Sequence, residues 1–191
     1  WTSSQGTSTF QAVNPTTEEM LPGKFPVSPW EEIETAINAA AKVSRQMRGW
    51  PGSRFADFLE CYAKEIEARA DLLIEAAHAE TGLPVSPRLK DGELPRTTSQ
   101  LRQAANAART DSWRNPVIDT AAGIRSMFGP IGPIVVFGPN NFPFAFNGIS
   151  GGDFAAAIAA GNPVIAKGHP CHPETTRILG DAALTAIRET G

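Results

Sequence analysis

Two cysteines in 191 residues, Cys61 and Cys171, are too few to staple a fold. Nothing around them pairs them, so both are expected as free thiols. An excess of charge of either sign is also missing: 17 basic and 20 acidic residues leave a formal net charge of -3, with the signs interspersed. No basic stripe invites nucleic acid or an anionic membrane. No apolar run is long enough to cross a bilayer, and no charged segment followed by an apolar one marks a secretory signal. The expectation is a soluble cytoplasmic protein without nucleic-acid or membrane partners. There is no internal repeat and no low-complexity linker, and the length suits one domain or at most two. A chain that begins at Trp1 rather than Met is expected to have been trimmed.

What the chain does hold is concentrated in residues 128–176, FGPIGPIVVFGPNNFPFAFNGISGGDFAAAIAAGNPVIAKGHPCHPETT. Ile134 to Phe137 form an apolar, β-branched run bounded by Pro133 and by Gly138-Pro139, the pattern of a strand buried on both faces. Pro163 to Lys167 repeat it. Between them, the small and apolar residues Phe144 to Ala160 read as a helix stopped by Gly161-Asn162, long enough to cross over between parallel strands. The product is a βαβ unit. In open parallel sheets the ligand crevice lies beyond the carboxyl ends of the strands. Two loops fall there, Gly138 to Pro143 and Gly168 to Pro173. The first carries Asn140 and Asn141 and is stiffened by Phe142-Pro143; the second follows Lys167. Amide donors in one loop and a cation beside the other suit a ligand that carries phosphate and develops oxyanion character.

Upstream, the polar residues 1–9 read as a loose terminus and Phe10 to Val13 as a short strand. Ser28-Pro29-Trp30-Glu31 predicts a capping box with proline at the first helical position, and Ile33, Ile37, Ala40 and Met47 give that helix one apolar face. Phe55, Phe58, Leu59, Tyr62 and Ile66 predict a second helix, packed in the core, and Leu72 to Ala79 a third ending near Gly82. Pro84, Pro87 and Gly92 mark a loop. Leu94, Leu101, Ala105 and Ala108 predict a fourth helix, with Pro95 in its first turn. From Thr110 proline, glycine and β-branched residues take over, and Ile124 to Phe128 are expected to pair with Val117-Ile118. A last helix starts at Pro173, with Leu179, Ala182, Ala183, Ala186 and Ile187 on one face and Gly191 as its cap.

The succession PIGPIVVFGPNNFPF, AAIAAGNPVIAKGHP and HPETT resembles the aldehyde dehydrogenase superfamily, most closely over residues 120–191. AVNPTTEE resembles the early hairpin of the same family. The details GGDFAAAIAAG and KGHPCHPETT resemble its NADP-preferring fatty-aldehyde and 2-oxoglutarate-semialdehyde (2,5-dioxovalerate) branch. The resemblance implies an α/β fold: a helical N-terminal layer over residues 1–109, a β-arm at 110–132 used for oligomerisation, and the first βαβα part of a Rossmann-like sheet at 133–191. That sheet is incomplete, and the catalytic domain is absent. The family likeness also implies an aldehyde substrate and a homo-oligomer.

By the same resemblance Asn141 is the catalytic oxyanion donor. Phe137, Gly138, Pro139, Asn140, Lys167, Gly168, His169 and Pro170 line the cofactor groove. Pro170 stands where NAD-preferring members carry a ribose-binding glutamate, which permits NADP, with NAD as the alternative. No segment resembles the family's Gly-Gln-x-Cys nucleophile, and no acidic residue matches its general base. Other readings stay open. Asn141 could cap a helix beginning near Pro143, Lys167 could be a solvated charge, and the chain could be a non-catalytic nucleotide-binding or interaction module. His169, Cys171 and His172 are close together, but their spacing fits no usual zinc pattern, and no metal is expected. Cys171 as a nucleophile activated by its flanking histidines is the remaining option. Gly151-Gly152-Asp153 lies in no phosphate-loop pattern and is read as close packing.

Overall fold

Apolar residues at helical spacing organise the first half of the computed structural model, which describes residues 1–191. The N-terminal segment makes a minimal hairpin, β1 (Thr9–Phe10) paired antiparallel with β2 (Phe25–Pro26), and Val13 bridges Met20 between them. Helix α1 (Trp30–Met47) follows. Its N-cap is Pro29, so the expected capping box at Ser28 does not form. Glu32 of the first turn instead accepts hydrogen bonds from the Ser4 hydroxyl (2.9 Å) and the Gln5 N–H, which ties the terminus down. Ala40 and Met47 are buried, whereas Ile33 and Ile37 are each 39% exposed, so this chain covers only half of the expected face.

Helix α2 (Gly52–Ala68) buries Phe55, Ala56, Leu59, Tyr62, Ala63 and Ile66, an i, i+3, i+4, i+7 stripe. Helix α3 (Ala70–Thr81) ends where Gly82 turns left-handed at φ 68°, a conformation other residues adopt at a cost. Residues Val85–Glu93, expected as a loop, coil into a wide irregular helical stretch because Leu89 and Glu93 are both buried. Helix α4 (Leu94–Thr110) continues from it with Pro95 in the first turn, where a missing N–H costs nothing. Beyond it, β3 (Val117–Asp119) and β4 (Ile124–Ser126) form an antiparallel hairpin whose residues are all exposed.

Strands β5 (Ile134–Phe137) and β6 (Val164–Lys167) pair in parallel, with Ile134 opposite Val164 and Phe137 opposite Lys167. They are not buried on both faces: Val136 is buried, but Val135 is 49% and Phe137 72% exposed, since the other residues of this chain cover one side only. Helix α5 (Gly152–Ala159) lies between the two strands. It is half the length expected, and residues 143–150 form successive turns instead. Side chains cause this. The Asn147 amide donates to the Pro143 carbonyl (2.9 Å), its oxygen accepts the Ile149 N–H (3.2 Å), and the Ser150 hydroxyl donates to the Phe144 carbonyl (2.8 Å). Such local bonds offer the backbone an alternative to the helical ladder. At Gly151 the chain folds back so tightly that a Cβ would lie 2.7 Å from Phe146 Cα. This close approach is to the preceding turn.

Helix α6 (Pro173–Thr190) closes the structure against α2 and α3. Leu179, Ala182, Ala183 and Ala186 are buried as expected, whereas Ile187 is 50% exposed, at the margin of the stripe. One apolar core runs through α2, α3, α4, α5 and α6 and takes in Phe144. Within it the buried Tyr62 hydroxyl donates to the Ile149 carbonyl (3.0 Å), with the Leu179 carbonyl at 3.2 Å. Leu59→Ala opens a cavity at the centre of this core and is expected to cost ~2–5 kcal/mol, read as a lower urea midpoint at unchanged slope. Ile187→Ala is the surface control; an equal shift for both would show that the core is not where the helices place it.

Candidate active site

The parallel pairing of Phe137 with Lys167 makes the loops after β5 and β6 leave side by side. His172 joins them. Its ring is buried and its Nε2 lies 3.1 Å from the Pro139 carbonyl, so Nε2 carries the hydrogen and donates. Burial holds this imidazole below the ordinary histidine pKa, with the Pro139 bond opposing, and keeps it neutral. His169 stacks on it, ring centroids 5.1 Å apart, and accepts the Cys171 N–H on Nδ1 (3.1 Å). Burial, then the neighbouring His172 and Lys167, lower the His169 pKa as well. Both histidines are therefore taken up by loop structure. Neither hydrogen-bonds the Cys171 sulfur.

The start of α6 opens on the same loop, but its free N–H groups are occupied. The carboxylate of Glu80, delivered by the last turn of α3, accepts the N–H of Glu174 (2.7 Å) and the N–H and hydroxyl of Thr175 (2.8 and 2.7 Å). A helix N-terminus is otherwise a ready anion site; here a protein carboxylate fills it. Phe137, Pro139, Asn140, Lys167, Gly168 and Pro170 are exposed at these strand ends and loops, and His169 is half-buried. Gly138 turns inward, where a Cβ would lie 2.6 Å from the Phe146 carbonyl oxygen, whereas Gly168 has no neighbour closer than 3.7 Å. Lys167 makes no ion pair within the chain, and the ion pairs that exist lie elsewhere.

Asn141 is exposed at the tip of the first loop, and its side-chain amide bonds to nothing in the chain. It caps no helix. The N–H groups of Phe144 and Ala145, which a capping asparagine would take, go to Glu93 Oε1 at 2.8 and 2.9 Å. Glu93 is 1% exposed; burial raises its pKa, and the two N–H groups and Arg88 act against that rise. Arg88 donates through Nη1 to Glu93 Oε2 (2.9 Å) and through Nη2 to the Asn141 carbonyl (2.7 Å), with its guanidinium 4.2 Å from the centre of the Phe142 ring. Sequence reasoning missed this pair because residues 84–92 read as a loop. The available signal was Glu93 itself, an acid on the Thr97 and Leu101 stripe of α4, where a buried carboxylate must find donors.

A surface hollow of about 570 Å³ lies instead over α2 and α4. No hydrophobic residue lines it, and its charged groups, Glu67 and Arg102, are paired with each other at 2.6 Å. The loops beyond β5 and β6 remain the better site.

Residues 1–190 match the model of the aldehyde dehydrogenase family. The chain belongs to that family. This aldehyde dehydrogenase chain is 40% identical over 193 residues to alpha-ketoglutaric semialdehyde dehydrogenase 2 of Azospirillum brasilense, a match covering 96% of the chain and 36% of that protein. It is 34% identical over 192 residues to alpha-ketoglutaric semialdehyde dehydrogenase of Acinetobacter baylyi, with 96% and 36% covered. Among solved structures, HpcC of Thermus thermophilus superposes with a TM-score of 0.84 at 22% identity, covering 98% of this chain and 35% of that one, which shows the shared fold. The aldehyde dehydrogenase chain thus spans about a third of the length of the curated relatives it matches.

The two cysteines of this aldehyde dehydrogenase chain differ in their surroundings. Burial pushes the Cys61 thiol up to about 11, and the Glu189 carboxylate that accepts its hydrogen bond (3.2 Å) adds to the rise. Cys171 is exposed and Cys61 is half-buried. At pH 8 iodoacetamide should alkylate Cys171 well before Cys61, as peptide mapping by mass spectrometry will show. Faster labelling of Cys61 would contradict this arrangement.

Proposed function

We propose that the chain is the N-terminal part of an NAD(P)-dependent aldehyde dehydrogenase that oxidises 2-oxoglutarate semialdehyde to the carboxylate, with NADP as the preferred cofactor. Two curated relatives named for that semialdehyde support it over a long-chain fatty aldehyde. The observation that carries the reading is Asn141: an exposed amide with no partner in the chain, on a loop held from both sides, at the carboxyl end of β5. When a thiolate adds to the aldehyde carbon, the carbonyl oxygen becomes an alkoxide, and the Asn141 N–H donates to it. The thiolate and the general base come from outside these 191 residues. A donor placed where charge develops lowers the barrier more than one that binds the ground state equally well.

The residues around β6 fit a dinucleotide carrying a 2′-phosphate. Lys167 has no intramolecular ion pair, and no carboxylate stands at position 170. Such a cofactor, once bound, would supply a hydride acceptor. Lys167 would hold its 2′-phosphate, and Phe137, Gly138, Pro139, Asn140, Gly168, His169 and Pro170 would line the groove, with His172 keeping the two loops together. The exposed hairpin of β3 and β4, with Val117, Ile118 and Ile124 outward, is the proposed arm between subunits of a homo-oligomer.

Kinetics of the whole protein to which this chain belongs test the reading. Asn141→Ala should lower kcat ~10²–10³-fold while the KM for NADP stays within about twofold. Lys167→Met removes a charged hydrogen-bond donor and should raise the KM for NADP ~10–100-fold but leave that for NAD little changed. Equal effects of Lys167→Met on both cofactors would sink the 2′-phosphate role. Tight NADP binding without turnover of any aldehyde would instead favour a non-catalytic nucleotide-binding module, a reading in keeping with the raised pKa of the Cys61 thiol.

A further inference from the structure

We propose that Arg88 and Glu93 are positioning residues for Asn141, an assignment that rests on the function proposed above for that side chain. The loop that carries Asn141 is gripped at two points. Ahead of the Phe142-Pro143 step, the Asn141 carbonyl accepts from Arg88 Nη2 at 2.7 Å; beyond it, the N–H groups of Phe144 and Ala145 bond to Glu93 Oε1 at 2.8 and 2.9 Å. The grips are one unit, because Arg88 Nη1 and Glu93 Oε2 bond each other at 2.9 Å. The planar guanidinium can serve the carboxylate and the carbonyl together because its nitrogens are rigidly spaced. Phe142 is fixed in the same assembly, its ring 4.2 Å from the Arg88 guanidinium carbon and packed against Phe146 at 4.7 Å between centroids.

This assembly holds the backbone and leaves the Asn141 amide free to donate. Glu93 is anchored by the core, and a rigid support is what a transition-state donor needs, since small misplacement costs rate steeply. The two residues divide the work. Glu93 also satisfies buried N–H groups, so its loss would disturb folding as well. The Arg88 side chain is 29% exposed, so substitutions there separate positioning from folding.

The test uses the whole protein and two readouts, steady-state kinetics and hydrogen exchange of the backbone amides in residues 141–146. Arg88→Lys keeps a cation beside Glu93 but cannot span both acceptors. It should lower kcat ~10–100-fold, leave the KM for NADP within about twofold, and speed exchange at Phe144 and Ala145. In an Asn141→Ala background the same substitution should change kcat by less than about twofold, because its effect runs through the lost amide. Arg88→Met should show the same dependence on background at a larger loss. Equal losses in both backgrounds, or full kcat and unchanged exchange in Arg88→Lys, would overturn the assignment alone. Absence of turnover in the unsubstituted protein would overturn the functional reading beneath it.

Discussion

Burying a carboxylate is costly unless donors surround it, and this structure uses that constraint twice to hold its crevice in place. Glu93 and Glu80, 1% and 3% exposed, sit where the helical layer meets the βαβ unit. Burial raises the pKa of both, and backbone N–H bonds act against the rise. Each carboxylate has one place where two free N–H groups are presented together: the turn at Phe144 and Ala145 for Glu93, the start of α6 for Glu80. Moving either segment would strand a charge in the core. The helices of the first 110 residues thereby dictate where both crevice loops sit.

Smaller polar side chains finish what those carboxylates begin. Asn162 accepts the N–H groups of Ile131 and Gly132 at 2.8 and 2.9 Å, anchoring the approach to β5 just before β6 begins. Asn147 and Ser150 hold the turns after the Asn141 loop, and the Asn147 amide reaches the Thr176 hydroxyl of α6 at 3.0 Å. His172 closes the circuit to Pro139. Apart from the Asn147–Thr176 bond, each of these side chains bonds backbone that has no regular ladder, which lets irregular chain be buried at all. The result is a stiff rim around exposed Asn141 and Lys167.

Much of the scaffold was legible. The stripes of α2, α4 and α6, the left-handed stop at Gly82, Pro95 in a first turn, and the register-compatible runs of β5 and β6 all follow from local rules. The motif around Pro139 to Pro143 points to the family to which the chain belongs. Legibility failed where a local pattern was outbid. Phe144 to Ala160 has a helix-compatible composition, yet Asn147 and Ser150 divert half of it into turns. Pro84 to Gly92 has loop composition, yet buried Leu89 and Glu93 coil it. Val135 and Phe137 have the pattern of a fully buried strand, but no residue of this chain covers their side of it.

By itself, then, the sequence determined most of the helices, the parallel crossover and the family, because periodicity and motif spacing are properties of neighbours along the chain. Only the tertiary structure decided what holds the crevice together. Glu93 bonds Phe144 and Ala145 across 51 and 52 residues, and Glu80 bonds Glu174 and Thr175 across 94 and 95. No window of sequence contains both partners of such a bond. A buried carboxylate announces that it needs donors, but which donors it receives is settled when helices and loops pack.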